Sequence, residues 1–128
     1  MKKLLFVVVI LFVVVISMVP LSNQLVKNGL SQPTANWAPK ATFTGARVQM
    51  LLLRYEEAHS SLRQALEMFP DYEERGKAMY WLAFCSEQVE NYDRAVAEYE
   101  RFVLEYPKHP LAPKANRASS ILAVQAED

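Results

Sequence analysis

The chain holds one cysteine, Cys85, in 128 residues, so no disulfide can form within it. One cysteine also rules out a cysteine zinc cluster and a haem-attachment motif. Cys85 ends the apolar run AMYWLAFC and reads as a small buried hydrophobe rather than a reactive thiol. No cysteine stands just after the N-terminal apolar run, which argues against a lipid-modified N-terminus. Glycine is equally scarce: the three glycines are scattered and make no phosphate-cradling loop. The two histidines, His59 and His109, sit in no H-E-x-x-H motif, and there is no nucleophile elbow. Glu56–Glu57 and Glu73–Glu74 are adjacent in sequence, so each pair reads as solvated rather than as a catalytic couple. These absences argue against an enzyme, and no cofactor or metal is expected. An excess of positive charge is missing too. With 14 basic and 14 acidic residues, a nucleic-acid partner is not expected.

The charges that are present are unevenly placed. Asp71 to Glu105 carries nine acidic and four basic residues, followed by Lys108, Lys114 and Arg117 with no acid before Glu127. An acidic stretch beside a basic one helps to orient a partner, although charged outer faces are also ordinary on helices.

The N-terminus is a basic cap, Lys2 and Lys3, on a long apolar run. From Leu4 to Leu21 the chain has 18 residues with Ser17 as the only polar one. As a helix this run is about 27 Å long, against roughly 30 Å for the hydrocarbon core of a bilayer. A cleaved signal peptide needs a small-x-small site, and Val15-Ile16-Ser17 is a weak substitute for one. An uncleaved signal anchor over residues 1–21, with residues 4–21 in the lipid bilayer, fits better. Positive flanks stay cytoplasmic, so the N-terminus is expected inside and the remainder outside. In a bacterium that is a single pass through the inner membrane with a periplasmic domain.

Residues 22–44 contain Pro33, Pro39 and Gly29 and show little periodicity. They read as an extended or partly helical tether, with the span continuing helically to about Asn28. Trp37 is expected either near the headgroups or packed on the first repeat helix. Residues 45–128 are expected to form the folded domain.

That domain carries a pattern that occurs twice. YEEAHSSLRQALEMFP begins at Tyr55 and YDRAVAEYERFVLEYP at Tyr92, an offset of 37 residues (92 less 55). A fixed period between 20 and 50 marks a helical repeat array. Asp71 is expected to cap a helix through KAMYWLAFCSEQV, Asn91 or Asp93 to mark the turn, and Tyr92–Tyr106 to return. Ala78, Leu82, Ala83 and Cys85 supply apolar positions of the first helix, and Ala95, Tyr99, Phe102 and Val103 form the core stripe of the second. Ala83 and Ala95 are expected to face each other. Upstream, Ala41–Leu53 is a degenerate helix with no turn residue before Arg54, so one long helix from Thr44 to Phe69 competes with a helix pair. Residues Pro110–Gln125 form a final helix that covers the end of the stack.

Leu82-Ala83, Tyr92, Ala95, Tyr99, Phe102 and Pro107 resemble the tetratricopeptide repeat. The form looks like the variant of bacterial envelope proteins, as in outer-membrane assembly lipoproteins and the cell-division coordinator of the Tol–Pal system. Glu90 stands where glycine often closes the inter-helix turn, and the period is 37 rather than 34. With the apolar run as a transmembrane helix, the resemblance implies an all-α protein: that helix, a short antiparallel helical array and a C-terminal capping helix. It implies binding of other proteins through a concave face built by the first helix of each repeat. Carried onto this chain, that face comprises Lys77, Tyr80, Phe84, Glu87 and Gln88, extended by Lys114 and Arg117. Tyr80, Trp81 and Phe84 form an aromatic cluster, at least one member of which is expected to anchor a partner. The lysine and asparagine that clamp a C-terminal carboxylate are not present at Tyr80 and Phe84, so a chaperone-tail binder is not expected. The leading reading is a membrane-anchored scaffold or adaptor at the bacterial cell envelope. An accessory subunit of a large integral-membrane complex is the alternative, and a secreted module freed by signal cleavage is a third reading.

Overall fold

Proline punctuates the chain at a fixed interval. Pro33, Pro70 and Pro107 are 37 residues apart (70 less 33, 107 less 70). A residue before proline is pushed out of the α region, so helices end ahead of it. Gln32, Phe69 and Tyr106 obey this with near-identical φ of −128°, −123° and −130°. A computed structural model describes residues 1–128 as six α-helices. They are α1 (Lys2–Ser31), α2 (Ala38–Leu51), α3 (Tyr55–Met68), α4 (Arg75–Gln88), α5 (Tyr92–Glu105) and α6 (Ala112–Glu127).

The 37-residue frame reaches further in both directions than the sequence pattern does. It relates α2 to α4 and α3 to α5 end for end, and it sets the start of α6. It also sets the end of α1, because Ser31 precedes Met68 by the same interval. The turns repeat as well. The amides of Ala35, Tyr72 and His109 donate to the carbonyls of Gln32, Phe69 and Tyr106 at 3.1, 3.2 and 3.1 Å. The chain is therefore half a repeat, two full repeats and half a repeat. The second half of α1, residues 18–31, takes the place of a return helix.

The segment expected as a tether is thus mostly helical. α1 runs unbroken to Ser31, about 45 Å from its start, and its last turns pack directly on α2. The reason lies in small residues. A Cβ on Gly29 would fall 1.9 Å from Thr42 Oγ1, and one on Gly45 would fall 2.7 Å from Val26 Cγ2. The two helix backbones meet closely there, and Gln49 Nε2 donates to Asn23 Oδ1 across the joint at 2.9 Å. Trp37 stands at the N-cap of α2, at the end farthest from the apolar run, and is exposed.

Thr44 to Phe69 is a helix pair, not one long helix. Leu53 supplies the break by adopting a left-handed φ of 61°, and Glu90 does the same at the equivalent turn with φ of 60°. Glycine is the usual residue for this conformation. In both turns the following amide reaches back five residues, Arg54 N to Gln49 O at 2.9 Å and Asn91 N to Ser86 O at 3.0 Å. The Asp71 cap is corrected: α4 starts later, with Glu74 at its N-cap and no side-chain cap. Proline at 70 commits Phe69–Glu74 to the turn instead. At α5, Asn91 does cap, accepting from Arg94 N at 3.3 Å.

The core is contiguous from Ala38 to Leu122. Between α4 and α5 it is aromatic: Tyr99 and Phe102 are fully buried, with ring centroids 5.6 and 5.9 Å from Tyr80. Ala83, Cys85 and Ala95 are fully buried beside them. Burial pushes the Cys85 thiol up to about 12. Consecutive helices pack on one another throughout, as in other solenoids.

Candidate functional site

A helical repeat array presents one face built from the first helix of each repeat, here α2, α4 and α6. The frame puts a lysine at the same position of all three: Lys40, Lys77 and Lys114, each 37 residues from the next (77 less 40, 114 less 77). Lys40 and Lys114 are exposed and Lys77 is half-buried. One turn further along lie Thr44, Trp81 and Ala118, then Arg47, Phe84 and Ile121. Phe43, Arg47 and Met50 of α2 face Lys77 and Trp81 of α4 across a groove floored by Leu62. Tyr72 closes one end, stacked on Phe43 with ring centroids 4.4 Å apart.

The structure divides the residues expected at the binding face. Tyr80 is a correction: it is only 4% exposed, enclosed by Trp81, Tyr99 and Phe102. It faces the return helix α5 rather than the open face, and so belongs to the core. Trp81, the next residue, points into the groove instead. Phe84 is half-buried, held edge-on by Tyr55 and Trp81 at 6.0 and 5.5 Å. Glu87 accepts the Tyr99 hydroxyl proton at 2.6 Å, which ties its carboxylate to the core aromatics. Gln88, Lys114 and Arg117 are exposed, and Lys77 lines the groove. The sequence placed two aromatics four residues apart on one face, but a helix this buried turns one of them inward.

A polar cluster joining α3, α4 and α5 was not foreseen. His59 Nε2 lies 2.9 and 3.1 Å from the two carboxylate oxygens of Glu98. The Ser86 hydroxyl also bonds Glu98 and accepts from Arg94 Nε at 2.9 Å. Arg94 reaches on to Glu56 at 3.2 and 3.3 Å through both guanidinium nitrogens. That hydrogen bond holds the Glu56 carboxyl below its ordinary value. Glu98 sits between Ser86 and His59, and the arrangement ties α3, α4 and α5 together. Sequence offered no signal for it: the five residues share no motif, and His59 and Glu98 fall at non-equivalent places in the frame.

The profile of the family described as Tetratricopeptide repeat matches residues 54–119, more than half of the chain. The match starts at the α2–α3 turn and ends within α6, covering both return helices and all of α4. No curated protein and no solved structure gives a match. Spacing, turn geometry and profile agree that this chain belongs to the tetratricopeptide-repeat family, whose helical arrays generally bind other proteins.

Proposed function

We propose that the chain is a single-pass, membrane-anchored scaffold that holds a partner protein against the face of α2, α4 and α6. The observation that carries the reading is the continuity of α1. Its first half is apolar and exposed to Ile16, and one unbroken helix carries it into the repeat frame. A helix long and apolar enough to cross a bilayer is thus built into the array rather than tethered to it. Lys2 and Lys3 orient it with the array outside the cytoplasm. The likeness to envelope-type repeats favours the bacterial inner membrane with a periplasmic array. Lys40, Lys77 and Lys114 beside Trp81 and Phe84 suit a partner segment that presents acidic groups next to an apolar anchor.

The test is recovery of partners by the full chain from gently solubilised membranes. Trp81→Ala combined with Lys77→Glu is expected to remove a stoichiometric partner while helical circular dichroism persists. Truncating a central anchor costs about 2 kcal/mol or more, a roughly thirtyfold loss of affinity. Undiminished recovery by the folded double variant would move the binding surface elsewhere. One observation favours the alternative, an accessory subunit of a membrane complex: Val124 is exposed on α6 at the place of Glu87, which meets the return helix α5 through Tyr99. Co-purification with fixed stoichiometry that survives the groove variant but not Val124→Glu selects that reading.

A further inference from the structure

α2 runs back along α1, and three contacts fix the register. Gly29 meets Thr42, Val26 meets Gly45, and Asn23 bonds Gln49. Each step towards the end of α2 is one step back towards the start of α1. Extended by this register, Leu51 comes level with about Pro20 and the turn at Leu53 with about Met18. The burial of α1 agrees: Met18 and Val19 are half-buried, while every residue from Met1 to Ser17 is exposed. The α2–α3 turn therefore lies beside the last turn of the apolar run, which ends at Leu21. A bilayer that surrounds this run has to meet the turn.

The residues at the turn suit that meeting. Leu51 and Leu53 are each 72% exposed and flank the half-buried Leu52. Leu53 also carries the left-handed φ of 61°, a conformation that favours glycine or asparagine. The equivalent turn of the second repeat has the same backbone but reads Gln88, Val89, Glu90. The backbone geometry is thus indifferent to side-chain character, and leucine at 51 and 53 has no role in closing the turn. Leu51 and Leu53 together leave an exposed apolar patch on one turn, with no partner for it within the chain.

We propose that the Leu51–Leu53 turn is a second membrane contact, inserting into the outer edge of the same bilayer that α1 spans. Helix and turn then hold the bilayer at two points. That fixes the tilt of the array on the membrane and the direction in which the lysine-bearing face opens. The inference rests on the membrane-anchored reading, and its test separates the two.

The probe is an environment-sensitive fluorophore placed on single cysteines in the full chain, in a Cys85→Val background. The chain is reconstituted into phosphatidylcholine vesicles with and without nitroxide-labelled lipid. The labelled positions are Val13→Cys in the span, Leu51→Cys and Leu53→Cys in the turn, and Glu90→Cys in the equivalent turn. Labels at Leu51 and Leu53 are expected to shift to the blue and lose emission with nitroxide lipid, as at Val13, while the label at Glu90 does neither. If Val13 is quenched and the Leu51 and Leu53 labels behave as Glu90 does, the inference is overturned and the anchor stands. If Val13 itself is not quenched, the anchored reading falls and takes the inference with it. Circular dichroism of each labelled chain confirms that the comparison is between folded proteins, and the two turn labels serve as independent variants.

Discussion

The joint between α1 and α2 and the joint between α3 and α4 occupy equivalent places in the frame, yet they are filled by opposite kinds of residue. Where the first has Ser22, Gly29, Thr42 and Gly45, the second has His59, Leu66, Met79 and Leu82. The first is closed by backbones in near contact, the second by bulky side chains, with His59 hydrogen-bonded past them to Glu98 of α5. One backbone plan therefore tolerates two chemistries. Large apolar groups are driven together in water by the area they remove from solvent. On the membrane-anchored reading proposed above, α1 emerges from lipid, where that force is weak and close packing of small residues suits a helix better.

The largest effect is expected at the water-driven joint. Leu66→Ala removes a side chain that is almost fully buried between α3 and α4. It is expected to cost about 2–5 kcal/mol and to lower the melting temperature of the full chain in detergent micelles. An unchanged melt would mean that this joint does not need its bulk.

Gly45→Leu transplants the residue of the second joint into the first. The new Cβ would lie 2.8 Å from the Ser22 carbonyl, which belongs to helix backbone and cannot move aside cheaply. A loss of about 1–3 kcal/mol is expected. Amide exchange should accelerate in the last turns of α1 and in α2, with α4 and α5 unaffected. Unaltered protection at residues 22–31 would show that the joint is looser than described.

The smallest effect separates Cys85 from Val48, its equivalent in the first repeat (85 less 37). Burial raises the Cys85 thiol from its ordinary 9.0 to about 12. Above pH 9 the unfolded chain releases this proton while the folded chain keeps it. The unfolded state then binds fewer protons, so stability falls as pH rises from about 9 towards 12. Cys85→Val is expected to flatten part of that alkaline decline in a series of melts at stepped pH. The remaining decline includes Tyr99 and Tyr72, whose hydroxyls are raised in the same direction by burial and by the neighbouring Glu87 and Glu74. An identical alkaline decline in the variant would place the thiol in water.

Much of the array was legible because its signals are local. Tyr55 and Tyr92 open the return helices, Ala95, Tyr99 and Phe102 form the buried stripe, and prolines close the turns. The half repeat at each end was harder to read. Residues 18–31 share little with α3 beyond their length, the proline that follows and the leucine at 25 and 62, so the pattern that marks a return helix is missing from them. Leu53 escaped notice as a turn residue because a left-handed leucine has no signature in sequence. Tyr80 was assigned to the open face because spacing alone does not distinguish two neighbouring stripes of one apolar helix, and Trp81 carries the opposite orientation.

The sequence by itself determined the class of fold, the repeat period, the apolar span and the helix ends at proline. These follow from steric limits within a few residues and from hydrophobic patterning along one chain. Only the tertiary structure decided that the apolar run and the array are one continuous body, that Tyr80 turns inward, and that the leucine turn comes level with the end of that run. Each of these depends on how closely two helices approach and in what register. That distance is set by pairs such as Gly29 with Thr42 and Gly45 with Val26, residues far enough apart in the chain that no local pattern links them.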